Sequence, residues 1–141
     1  MKERAHGVDL GPLLDAARRA GARILEIYGR DFEVDYKEDQ SPLTEADRAG
    51  NEVIMEFLHA AHREIPVISE ENKQLGYQER RGWSRFWLVD PLDGTKEFIK
   101  KNGEFTVNIA LVEDGVPVLG VVFRPVTDTM YVGILGEGSY R

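Results

Sequence analysis

An α+β fold, with two long helices packed on a mostly antiparallel sheet, is what the sequence predicts, and three observations carry it. Apolar residues in the first half recur at helical spacing. Those in the second half gather into short runs rich in β-branched and aromatic side chains. Asp114-Gly115 stands between two of these runs as a hairpin turn, which favours antiparallel pairing.

The elements follow in chain order. Leu10, Leu13, Leu14, Ala17, Ala20, Ile24 and Ile27 step by three and four, with Asp9 as an N-cap and Gly29 as a stop, and predict a helix of about five turns. A second helix begins at Thr44, where Thr44-Glu45-Ala46-Asp47 fits a capping box. Ala49, Val53, Ile54, Phe57, Leu58 and Ala61 form its apolar stripe, and Pro66 lies past its end. Strands are predicted over 66–69, 86–89, 106–112, 116–123 and 130–135. The run 116–123 is apolar on both faces and implies cover on both sides, with helices on at least one. Gly136-Glu137-Gly138-Ser139 reads as a turn with only Tyr140 and Arg141 behind it. That predicts a chain stopping inside a hairpin, as part of a longer protein.

Composition narrows the function. With 141 residues, 42% of them hydrophobic, the chain can build a core. A net charge of −7 without a Lys/Arg cluster argues against a nucleic-acid polymer or an anionic membrane as partner. The absence of Cys excludes disulfides, zinc-thiolate sites and a cysteine nucleophile. No window has the roughly 18 apolar residues of a membrane span, and no leader is visible, so the expected compartment is the cytoplasm.

The chemistry concentrates in Trp87-Leu88-Val89-Asp90-Pro91-Leu92-Asp93-Gly94-Thr95. An apolar strand delivers Asp90, Pro91 turns the chain, and Asp93 follows, so two carboxylates converge and need a cation or proton between them. Hard oxygen ligands, with the Leu92 carbonyl added, suit Mg²⁺. Gly94 and Thr95 open a short helix whose free N–H groups attract phosphate. The same residues also fit an ordinary turn with an Asp cap. Ser69-Glu70-Glu71 follows the strand at 66–69; if the two strands are neighbours, Glu70 joins the cluster, and if not it is a solvated acidic loop. Asp47 fits either the capping box or a place beside that cluster. His59 and His62 read as surface residues. No Ser/His/Asp set accompanies Thr95, so water is the expected nucleophile.

These residues resemble the lithium-sensitive, magnesium-dependent phosphomonoesterases of the inositol monophosphatase superfamily. The family's early Asp, Glu-Glu pair and D-P-[IL]-D-[GS]-T are matched by Asp47, Glu70-Glu71 and 90–95. Lys96-Glu97-Phe98-Ile99, the run 102–110, Val67-Ile68-Ser69 and Ser41-Pro42-Leu43 are most similar to the bacterial 3′(2′),5′-bisphosphate nucleotidase branch; inositol phosphatases carry Thr-Asn-Phe after the Gly-Thr. The resemblance implies two or three Mg²⁺ ions on Glu70, Asp90, the Leu92 carbonyl and Asp93, with phosphate oxygens on the Gly94 and Thr95 N–H groups. Thr95 with Asp47 or Glu70 would deprotonate the attacking water, with Lys37 and Glu71 as further site residues. The implied substrate is a small phosphorylated nucleotide, adenosine 3′,5′-bisphosphate, giving AMP and phosphate. A second one is 3′-phosphoadenylyl sulfate, which points to sulfur metabolism. Inositol 1-phosphate phosphatase and a non-catalytic metal-binding module are the alternatives. The family's late W-D-x-A-A is absent. Residues 1–141 are therefore expected to be the metal-binding N-terminal half of a layered sugar-phosphatase-type fold, truncated before its C-terminal domain and inactive alone. An uncovered apolar face would favour oligomers.

Overall fold

The stripe from Leu10 to Ile27 is the buried side of helix α1 (Leu10–Tyr28) in the computed structural model. The structure describes residues 1–38, 42–71 and 80–141; Ser41 of the family-like motif lies outside them. Asp9 and Gly29 flank α1 without the chemistry expected of them. The Asp9 side chain makes no cap bond and pairs with Arg4 at 2.6 Å, and Gly29 has φ −79°, open to any residue. Before α1, β1 (Arg4–Ala5) and β2 (Val8–Asp9) pair antiparallel, and after it β3 (Val34–Tyr36) pairs with β4 (Pro42–Thr44). Runs of two and three residues are too short to show a period, so the sequence left them unmarked.

Helix α2 (Glu45–Ala61) opens on the complete capping box, with Thr44 accepting from the backbone of Ala46 and Asp47 and Asp47 answering to Thr44 N–H. A methyl at Gly50 would stand 3.0 Å from Ile24 Cδ1 and 3.3 Å from the Pro91 carbonyl oxygen. The missing side chain is therefore what lets α2 lie so close to α1 and to the strand end carrying Asp90.

One six-stranded sheet holds β5 (Val67–Ser69), β6 (Arg85–Asp93), β7 (Thr106–Glu113), β8 (Val116–Arg124), β9 (Thr129–Ile134) and β10 (Gly138–Tyr140), in the order β10-β9-β8-β7-β6-β5. Only β5 and β6 run parallel. The five expected runs are all strands, and Asp114 (φ 50°) and Gly115 (φ 78°) take the left-handed conformations of a tight hairpin turn. The expectation of a hairpin without a return strand is corrected: Gly138–Tyr140 pairs with Val132–Ile134, three residues sufficing to extend a sheet already formed.

Both helices pack on one face, over Trp87, Val89, Ile109, Leu111, Leu119 and Val121. Among the described residues the expected cover on both sides of β8 is not found. On the other face Leu88, Val122 and Tyr131 stay 47%, 37% and 45% exposed, because neither α1 nor α2 crosses to that side. No helix among the described residues is long and apolar enough to cross a membrane.

Candidate active site

Side chains alternate along a strand, so Asp90 and Asp93, three apart, would face opposite ways in a regular β6. A bulge reverses this. Asp90 lies opposite Asn108 and Asp93 opposite Thr106, three steps on β6 against two on β7. Asn108 and Thr106 share a face, and so therefore do the two aspartates. Pro91 suits the bulge because it has no N–H to leave unpaired. The turn expected at Pro91 is thus a bulged strand continuing to Asp93. Asn108 Nδ2 donates to Asp93 Oδ2 at 3.2 Å and is itself steered by Thr106 Oγ1, which donates to Asn108 Oδ1 at 2.8 Å.

The two strands bearing acids are neighbours. Ser69 lies opposite Val89 in the parallel pairing, and Glu70 N–H donates to the Val89 carbonyl at 3.1 Å, so Glu70 leaves the sheet beside Asp90. Around these ends lies an open cleft of about 350 Å³ lined by Lys37, Glu70, Glu71, Asp90, Leu92, Asp93, Gly94 and Thr95, with Lys96 and Glu97 at the same opening. Asp47 does not line it. It is buried behind Thr95, whose Oγ1 donates to Asp47 Oδ1 at 2.8 Å. That hydroxyl has one proton, and the Leu92 carbonyl at 3.4 Å is the lesser acceptor. Asp47 Oδ2 takes the Thr44 N–H at 2.9 Å and the Thr44 hydroxyl at 2.6 Å. The two readings of Asp47 are compatible, one oxygen capping α2 and the other facing Thr95.

Thr95 begins α3 (Thr95–Ile99), entered through Gly94 at φ +95°. A Cβ there would meet the Glu104 carbonyl at 2.8 Å, so glycine is required on both counts. The first N–H groups of α3 have no acceptor within the helix. Beneath it Phe98 is fully buried against Tyr28, Phe32 and Phe105, with ring centroids 5.2, 4.8 and 5.1 Å away.

Burial, and then the charges of Asp93 and Glu70, push the Asp90 carboxyl up to about 7, against a Leu92 N–H that favours the ionised form. Lys37 Nζ stands 3.1 Å from Glu71 Oε1. Burial pulls Lys37 down, but the Glu71 hydrogen bond and charge, with Glu70 and Asp47, raise it overall. Glu71 is raised as well, because burial outweighs its Lys37 hydrogen bond and Asp47 and Glu70 repel its charge. Both are raised because the surrounding carboxylates that hold the lysine's proton also disfavour the charge of the more buried Glu71.

The donor set fits a hard cation. It is made of oxygens alone, and burial with the charges of Asp93 and Glu70 pushes the Asp90 carboxyl up, a cost that a bound cation would relieve. Among the described residues no three acidic or histidine side chains close on a single point. His59 is exposed as expected, whereas His62 is not a plain surface residue. Its ring lies 5.5 Å from Trp87 and 6.2 Å from Phe57, and burial pulls its pKa down. Residues to which the sequence assigns no role also belong here. Asn108 orients Asp93, and Asn51, half-buried on α2, receives the Ser69 hydroxyl at 2.5 Å.

A helix-backed, mostly antiparallel sheet with carboxylates gathered at its strand ends defines a layered α+β protein with an acidic cleft. The inositol monophosphatase family pattern matches residues 10–141, and the chain belongs to that family. It is similar to the 3′(2′),5′-bisphosphate nucleotidase CysQ of Escherichia coli O157:H7, 50% identical over 130 residues that cover 91% of this chain and 52% of the relative. The crystal structure of CysQ from Bacteroides thetaiotaomicron aligns with a TM-score of 0.77 at 52% identity, over 92% of this chain and 47% of that one. The extragenic suppressor protein suhB of Bartonella henselae aligns with a TM-score of 0.83 at 28% identity, over 93% and 50%. The expected layered fold is borne out. The chain spans about half the length of the curated relatives it matches.

Proposed function

We propose that this chain is the metal- and phosphate-binding half of a phosphomonoesterase acting on 3′(2′),5′-bisphosphate nucleotides. The observation that carries the reading is the bulge in β6, which turns Asp90 and Asp93 to one side, beside Glu70 and in front of the Thr95–Asp47 pair. Glu70, Asp90, Asp93 and the Leu92 carbonyl would hold Mg²⁺, as two or three ions. When bound, the metal supplies positive charge at the phosphate and lowers the pKa of a water. The N–H groups of Gly94 and Thr95 take phosphate oxygens. Thr95 Oγ1, already donating to Asp47 Oδ1, accepts the proton of the attacking water and passes its own to Asp47. Identity near 50% to the CysQ proteins supports the nucleotide over inositol 1-phosphate as substrate. Inhibition by Li⁺ and a place in sulfur metabolism follow from the same reading.

We also propose that turnover needs the remaining half of the relatives' length, since positioning the substrate accounts for much of an enzyme's rate. The test is Mg²⁺ binding and phosphate release from adenosine 3′,5′-bisphosphate and inositol 1-phosphate, by the chain and by Asp93→Asn. Expected are Mg²⁺ binding lost in the variant and phosphate release at background. Release from the bisphosphate that Asp93→Asn abolishes would refute the need for a second half; preference for inositol 1-phosphate would refute the substrate; no Mg²⁺ binding would refute the reading itself.

A further inference from the structure

Two hydrogen bonds one helical turn apart tie α2 to both acidic strand ends. Asp47 Oδ1 accepts from Thr95 Oγ1 just past the end of β6, at 2.8 Å. Four residues on, Asn51 Oδ1 accepts from Ser69 Oγ at the end of β5, at 2.5 Å. Ser69 is fully buried, and its oxygen in turn accepts the Glu71 N–H at 3.4 Å. Residues four apart share a helix face, so α2 offers two fixed points about 6 Å apart along its axis. Between them Gly50 lets the helix lie close to the Pro91 carbonyl, which a Cβ there would meet at 3.3 Å.

We infer that Asn51 and Ser69 are positioning residues: they hold the Glu70-Glu71 loop at a set height against Asp47 and Thr95, and so set the affinity of the cleft for a divalent cation. The inference rests on the metal site proposed above and concerns the residues behind it. A buried hydroxyl needs some partner in any fold. What distinguishes this one is that the same oxygen serves the helix as donor and the acidic loop as acceptor. Removing the Asn51 acceptor takes away one of the bonds that hold Ser69 Oγ, and with it a tie between the acidic loop and α2. Groups that orient metal ligands from behind are worth about 10- to 100-fold in affinity.

Calorimetric titration with Mg²⁺, beside thermal unfolding in EDTA, tests this on the intact chain, Ser69→Ala, Asn51→Leu, the double variant and Ser69→Thr. Each single variant is expected to weaken Mg²⁺ binding about 10-fold. The double variant should lose less than the sum of the two singles, because they share one bond, and Ser69→Thr should restore most of the affinity. Mg²⁺ affinity unchanged in folded Asn51→Leu, a variant at a half-buried helix position, overturns the inference alone, as do additive losses in the double variant. No Mg²⁺ binding by the unaltered chain overturns both the inference and the metal site beneath it.

Discussion

The two sides of α3 are built on opposite principles. Below it, Phe98 touches Tyr28, Phe32 and Phe105, and each contact lowers the energy of the fold. Above it, Asp90 and Asp93 on β6 and Glu70 just beyond β5 bring like charges to one cleft, raising that energy unless a proton or cation intervenes. The lesson is that the carboxylates do not hold themselves in place. They are held by an apolar underside and a bulged strand, and the cleft is left charged and able to attract a cation.

The largest expected effect comes from removing the underside. Phe98→Ala deletes a fully buried ring and should cost about 3–5 kcal/mol, measured as the fall in the urea midpoint at fixed pH. Against a total stability of about 5–15 kcal/mol, this brings the chain close to unfolding. A loss under about 1 kcal/mol would mean that α3 is anchored by its backbone instead, and the contrast between its two sides would fail.

The charged side predicts a pH dependence of a definite sign. Asp90 titrates near 7 in the fold, above the roughly 3.9 of an unfolded aspartate. Its contribution is therefore fully present below about pH 4 and lost as the pH rises to about 7. Three units correspond to about 4 kcal/mol at most, and water entering the open cleft reduces this to about 2–3 kcal/mol. In EDTA, Asp90→Asn should become progressively more stable than the unaltered chain between pH 4 and 8. Because Mg²⁺ must displace that proton, its affinity for the unaltered chain should strengthen through pH 7. A difference between the two chains that does not vary with pH would show that the crowding is relieved in solution.

Much of this architecture is legible in the sequence, and the parts that are not share a cause. The stripes of α1 and α2, the Thr44 capping box and the Asp114-Gly115 turn are local patterns, and each is found where its spacing puts it. That Asp90 and Asp93 are functional candidates was also legible, but the device that aligns them was not. A bulge is a mismatch between two strands, and Asn108 and Thr106 on β7 are needed to see it. Asn51 left no trace for the same reason. Its role depends on Ser69, brought against it by β5, and along α2 it is one more polar residue. His62 was misread because its partner Trp87 is distant in the chain.

The smallest effect sharpens the comparison from its rim. Lys101 lies over two of the aromatic rings below α3, its Nζ 4.8 Å from the Tyr28 centroid and 5.1 Å from that of Phe32. The same ammonium donates to the Tyr28 carbonyl and, at 3.4 Å, to that of Arg30, where the dipole of α1 leaves partial negative charge. Lys101→Met keeps an aliphatic side chain and removes the charge, so it isolates the electrostatic part of this contact. The expected loss is about 0.5–1 kcal/mol at low salt, read as a small fall in Tm. Raising the ionic strength should shrink it, because the ammonium is exposed and screened. Mg²⁺ affinity should stay unchanged, since Lys101 does not line the cleft that holds the carboxylates. A change in that affinity would mean that the underside transmits strain to the site rather than merely supporting it.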